Sequence, residues 1–332
     1  METRIDHPPI ELAEQDPPPS ARRPSARWTR PASFGLAGLL ALFLLVGLPS
    51  GKKPDLTAEQ AASLHAAVEQ QGDRPDLVAQ TLPPQGYQLP ASYGDLGPRL
   101  LATGAIDYEG FVRLYEQSGR PLTQAQRAIL TEGSSAPIVI DRANAHFLLN
   151  LFWAFGLTNR NPVLEGGPMI AYSQGDIGGF ASTGGWTLGR RPATALYSSV
   201  SILTMTEDQQ ARLERVAAAV YRPCCNNPTD FPDCNHGMAM LGLLEVMAAQ
   251  GATEEAMFEA AKYVNAFWFP QQALELATFF WAAQGQTYSE VDPRVAVGPE
   301  YFSAEGFRRV HAVLVQNGLL DQAPQQGGGC GV

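Results

Sequence analysis

The stretch Thr253–Gln284, TEEAMFEAAKYVNAFWFPQQALELATFFWAAQ, decides the fold class. A Thr hydroxyl caps helix starts, and Thr253 stands immediately before a helical run. Within that run Ala256, Ala260, Val264 and Phe267 recur in step with a 3.6-residue period. Pro270 interrupts it, and proline suits only the first turn of a helix. The spacing therefore predicts two consecutive helices, one capped by Thr253 and one opened by Pro270 that runs to about Gln284. Tyr263, Phe267, Trp268, Phe269, Phe279, Phe280 and Trp281 crowd both helices. They read as core, with an apolar ligand pocket as the alternative.

The same signals repeat on either side. Thr206 with Gln209 three residues on forms a capping-box pattern for a helix to about Tyr221. Asp233 or Asn235 opens a helix ending near Gly251, and Ser303 caps one reaching Asn317–Gly318. Upstream, Phe111, Leu114 and Tyr115 follow Asp107 at helical spacing, and Thr123–Thr131 reads as a short helix. Asp141 opens a further helix with His146, Leu149, Asn150 and Trp153 on one side. Alternating strand patterns are few. The expected class is all-α: a multi-helix antiparallel globular domain over residues 105–320. Residues 49–104 read as a linker with one peripheral helix, Ala58–Gln71 capped by Thr57. Thr81–Gly104 carries Pro and Gly throughout and no period, so it reads as extended.

Residues 32–48, ASFGLAGLLALFLLVGL, carry no charge and are just long enough to span a bilayer core of about 30 Å. Arg22, Arg23, Arg27 and Arg30 precede this segment with no acid among them. That asymmetry predicts a single-pass signal anchor with a cytoplasmic N-terminus. The main domain is then extracytoplasmic, periplasmic or on the outer face. A cleaved signal peptide is the alternative, but Val46-Gly47-Leu48 matches a cleavage site poorly. Residues 1–31 form a Pro-rich leader, expected to be disordered. His146–Leu157 and Met238–Ala249 are apolar too, but too short for further spans.

The chain has a net charge of −10, which excludes a nucleic-acid binder that works through basic contacts. Four cysteines in 332 residues are too few for a small disulfide scaffold. Three of them lie in the stretch Arg222–Met240, RPCCNNPTDFPDCNHGMAM: Cys224, Cys225 and Cys234, with His236 two residues further on. Thiolates and imidazole are the ligands that Zn(II), Cu(I) and Hg(II) select. Cys234 and His236 stand at a helix start, where the dipole favours a thiolate. The expected cofactor is thus a soft metal ion, copper or zinc with mercury as a chemical cousin, on Cys224, Cys225, Cys234 and His236. Met238 and Met240 lie four residues after Cys234 and His236 and are expected to offer thioethers. Cys330, in the tail Gly327–Val332 of the flexible segment 321–332, is an auxiliary thiol or a resolving cysteine.

Two alternatives use the same residues. One is a thiol–disulfide oxidoreductase with Cys234 as the attacking thiolate. The other is a disulfide-stapled, non-catalytic domain that binds an envelope protein. Among other features, GGFASTGGWTLG (Gly178–Gly189) lacks the order of a phosphate loop, so its glycines read as turns that seat Phe180 and Trp186. Arg190 and Arg191 read as a solvated pair. His146 reads as a satisfied core histidine. Glu245, in an apolar helix, calls for a partner in a buried ion pair or supports the cysteine cluster. No hydrolase signature is present.

Overall fold

The computed structural model describes residues 62–63 and 76–320. The leader, the apolar segment 32–48, Cys330 with its tail, and all but two residues of the helix expected over 58–71 lie outside the described residues. Among the described residues, nine helices of eight or more residues form the domain. They are α1 Leu96–Thr103, α2 Tyr108–Gln117, α3 Gln124–Thr131, α4 Ala145–Thr158, α5 Glu207–Ala217, α6 Asn235–Ala249, α7 Glu254–Trp268, α8 Pro270–Gln284 and α9 Ala304–Gln316.

Most of these helices start at a local sequence signal. Thr123 and Thr206 accept bonds from the N–H three residues on, and Gln126 and Gln209 return them, closing two capping boxes. Asp107, Thr253 and Ser303 cap α2, α7 and α9. Pro270 occupies the first turn of α8. The cap of α6 is Cys234 itself, whose sulphur accepts from Gly237 N–H at 3.4 Å.

Helices α4 and α6 form the centre. Every residue of α4 except His146 is buried, and every residue of α6 except His236 and Ala249. A helix apolar on all sides must be surrounded. The two cross where Gly156 meets Gly242. A Cβ on Gly242 would lie 2.5 Å from the carbonyl oxygen of Phe152, and one on Gly156 would lie 2.3 Å from that of Met238. Only glycine permits this approach of one backbone to another. Met238 and Met240 are 0% and 1% exposed and pack in the apolar core.

One carboxylate is buried in α6. Glu245 takes a 2.6 Å bond from Asn159 Nδ2. The oxygen of the same amide accepts from the backbone N–H of Ile202 and of Leu203, at 2.9 Å each. The partner of Glu245 is therefore a neutral amide that hangs a loop on α4, and neither an ion pair nor support for the cysteines. Burial pushes this carboxyl well above the usual range, against the smaller pull of Asn159 and Asn161.

The domain is mostly helical, with one correction to the all-α expectation. Strands β1 Tyr87–Gly94 and β2 Ser134–Ile140 pair antiparallel, Tyr87 facing Ile140 and Ser92 facing Pro137. Leu89, Ala91 and Tyr93 alternate inward from β1, and Ile138 and Ile140 from β2. Pro90 and Pro137 break up both runs and hide this alternation in the sequence. The Gln250 side chain completes β1 by exchanging two 2.9 Å bonds with the Ser92 backbone. The stretch expected to be an extended linker, Thr81–Gly104, thus holds a core-facing strand and the helix α1.

Gly178–Gly189 acts as the sequence suggests. Trp186 is 4% exposed, meets Trp153 edge-on at 5.0 Å and donates to Ala105 O at 2.8 Å. Among the described residues no helix is long and apolar enough to cross a membrane.

Two predictions follow from the central crossing and its carboxyl. Gly242→Ala is expected to cost about 2 kcal/mol by overpacking, lowering Tm by roughly 4–8 °C. Gly166→Ala, with nothing within 4 Å of the new methyl, should stay within about 0.5 kcal/mol. Differential scanning calorimetry of both variants checks this. Glu245 is protonated more readily folded than unfolded, so its contribution to stability is complete below its unfolded pKa and fades as pH rises. Glu245→Gln should therefore raise Tm at pH 8 relative to wild type, with the gain vanishing near pH 4.

Candidate functional site

The loop between α5 and α6 carries the cysteines, and the backbone around it is anchored at many points. Thr229 donates to Val220 O through both N–H and Oγ1, and Asp230 N–H reaches Ala217 O. Ser182 N–H donates to Asp233 O, and Ala304 N–H to Cys225 O. Asn226 Oδ1 accepts from Glu305 N–H at the start of α9. Pro228 and Pro232 fix the backbone at two points of this path and carry no N–H to satisfy.

At the centre of this loop lies Arg222, 1% exposed. Its Nε–H donates to Cys234 Sγ at 3.2 Å. The guanidinium also reaches Asn227 O at 3.0 Å, Phe231 O at 3.2 Å and Asp233 Oδ1 at 2.7 Å. Asn227 Nδ2 holds the other Asp233 oxygen at 2.9 Å. Arg222 passes beneath the first turn of α6, where a Cβ on Gly237 would lie 2.4 Å from its Nη2. Burial disfavours the guanidinium charge, but the sulphurs of Cys234, Cys225 and Cys224 outweigh this and hold it above its usual range. The Cys234 sulphur thus faces a buried guanidinium and a helix N-terminus together, the surroundings that stabilise a thiolate.

All four predicted ligands come together, but as two overlapping triads. Cys224, Cys234 and His236 form one, and Cys225, Asp233 and Cys234 the other. Within each triad the ligand atoms lie within 4.8 Å of one another. Cys224 Sγ and Cys234 Sγ are 3.6 Å apart, so no disulfide joins them. Two bonds of about 2.3 Å at the tetrahedral angle place sulphurs roughly 3.8 Å apart. The residues present therefore fit a thiophilic ion.

The members differ in character. The His236 ring lies against Phe269 at 4.5 Å and Trp268 at 5.9 Å. Burial lowers its pKa to about 4; Cys234 opposes this, while Arg222 and His146 add to it. The ring is neutral at ordinary pH, and its buried Nδ1 has no hydrogen-bond partner. Cys225 is pushed up to about 11. Its bond with Cys224 lowers the value, but the bond with Cys234 and burial outweigh that. Cys225 is thus a neutral thiol, lying 3.8 Å from Asn227 O and 3.7 Å from Asp233 Oδ1.

Sequence reasoning overlooked Arg222 and Gly237, and used Asp233 only as a helix start. The available signals were an arginine two residues before the cysteine pair and an acid directly before the third cysteine. His236 joins the cluster as expected, whereas His146 at the start of α4 departs from its expected role. His146 is half-buried with an unpartnered Nδ1, so it is not a satisfied core histidine.

Arg222→Met leaves Asp233 and two loop carbonyls without their partner and is expected to cost about 3 kcal/mol. Gly237→Ala pushes against the guanidinium and should cost about 1–3 kcal/mol. In chemical denaturation, combining the two should give less than the sum of the single effects, because both act through one contact. Comparison with protein-family models, with curated proteins and with solved structures finds no match for this chain.

Proposed function

We propose that the protein is a membrane-anchored, extracytoplasmic binder of a soft metal ion, copper or zinc, with mercury fitting the same ligands. The observation that carries this reading is the convergence of Cys224, Cys234 and His236 within 4.8 Å. Charge supports it. Arg222 already neutralises Asp233, so two thiolates and a neutral imidazole balance a divalent ion or leave one negative charge on a monovalent one. Beside the shared sulphur stand a further sulphur, Cys225, and a harder oxygen donor, Asp233. Anchoring rests on the uncharged segment 32–48 and its arginine flank, and Cys330 keeps its place in the proposal as an auxiliary thiol.

One observation favours a second use of the same atoms. At 3.6 Å, Cys224 and Cys234 need only a small approach to form a disulfide. Oxidation by a disulfide partner would pass two electrons and two protons to that partner and remove two ligands.

Native mass spectrometry of the reduced full chain in detergent, supplied with Zn(II) and then Cu(I), tests the proposal. The expected result is one ion per chain. Cys234→Ser should abolish binding, and Arg222→Lys should weaken it by roughly 10–100-fold, as loss of an outer contact does. No stoichiometric ion from either metal, or binding unchanged in Cys234→Ser, overturns it. In a parallel sample purified without reductant, two thiols that alkylate only after reduction, together with no ion bound by the reduced chain, would establish the disulfide reading instead.

A further inference from the structure

A second cleft opens at the N-terminal end of α4. Between β2, α3 and the start of α4 is a cleft of about 790 Å³. This is within the size range of small-molecule sites. Tyr93, Tyr115 and Phe147 give it an apolar wall, and Arg120, Arg142 and His146 face it as well. Its one acid, Asp141, is already engaged: one carboxylate oxygen accepts from Ala143 N–H and Asn144 N–H at 2.8 Å each.

The cations are not engaged. Among the described residues neither Arg120 nor Arg142 has an ion pair or side-chain hydrogen bond, unlike most arginines of this acidic chain. His146 Nδ1 is shielded from water and has no partner. Helix α4 begins beside them with the Asp141 carboxylate at its start, so two guanidinium charges face one carboxylate and the cleft keeps a net positive charge. Arg120 is close enough to disfavour protonation of His146, second to burial.

We propose that this cleft binds a small organic anion: an oxyanion headgroup, carboxylate or phosphate, held by Arg120 and Arg142 with His146, and an aromatic or apolar body laid against Tyr93 and Phe147. A guanidinium presents paired donors to such a headgroup. The cleft shares no lining residue with the cysteine cluster, although His146 is near enough to disfavour protonation of His236, and the proposal does not depend on the metal reading.

Equilibrium dialysis of the full chain in mild detergent, with protein-free detergent as the blank, tests it. The probes are benzoate, phenyl phosphate and the uncharged benzyl alcohol. Both anions should saturate at one per chain, with benzyl alcohol at least roughly tenfold weaker. The tighter of the two anions identifies the headgroup. Arg120→Gln and Arg142→Gln should each weaken anion binding by roughly tenfold. Neither should change Tm, because both side chains are exposed and unpaired. The proposal is overturned if neither anion binds, if benzyl alcohol binds as well as they do, or if the double variant R120Q/R142Q binds them unchanged.

Discussion

The backbone contact between Gly156 and Gly242 is the constraint on which the rest of the domain depends. It brings α4 and α6 together closely enough that both are enclosed by the remaining helices. Enclosure has a consequence for chemistry. A polar group inside these helices must be satisfied by a neighbour, which is why Asn159 serves both Glu245 and the loop at Ile202. In each helix the second residue is a histidine that escapes full burial. His236 reaches the cysteine cluster and His146 the arginine-lined cleft. The two candidate sites are thus set at the entrances of the two most buried helices.

The cysteine cluster is organised around a cation that belongs to the protein. Arg222 gathers a thiol sulphur, a carboxylate and two loop carbonyls, and so determines how the Pro-rich loop closes. A buried guanidinium without these partners would be costly, so loop and arginine require each other. The same arrangement ranks the thiols. Cys234 lies against positive charge, whereas Cys225 is kept protonated. Sulphur chemistry is therefore concentrated on Cys234, the residue common to both triads.

Much of the architecture was legible locally. Capping residues such as Thr123, Thr206, Thr253 and Ser303 and the first-turn Pro270 mark helix starts through bonds or fixed dihedrals within four residues. Such signals survive whatever the tertiary context. The β-hairpin partners were not legible. Their registers span some fifty residues between Tyr87 and Ile140, and the inward alternation is broken by Pro90 and Pro137. The burial of Met238 and Met240 was not legible either. Helical spacing places each one turn beyond a ligand, and the enclosure of α6 buries both of them in the core.

The sequence by itself determined the helical class, the helix starts and the membership of the cysteine–histidine cluster, because these follow from short-range pattern and from residue chemistry. Only the tertiary structure decided that the cluster divides into two triads sharing Cys234. It also recruited Arg222 and Asp233, and brought Arg120 beside Arg142 and His146 at the start of α4 along one cleft. These are relations between segments far apart along the chain or folded back within a loop. Which side chains meet there is settled by how α4 and α6 cross and what then packs around them.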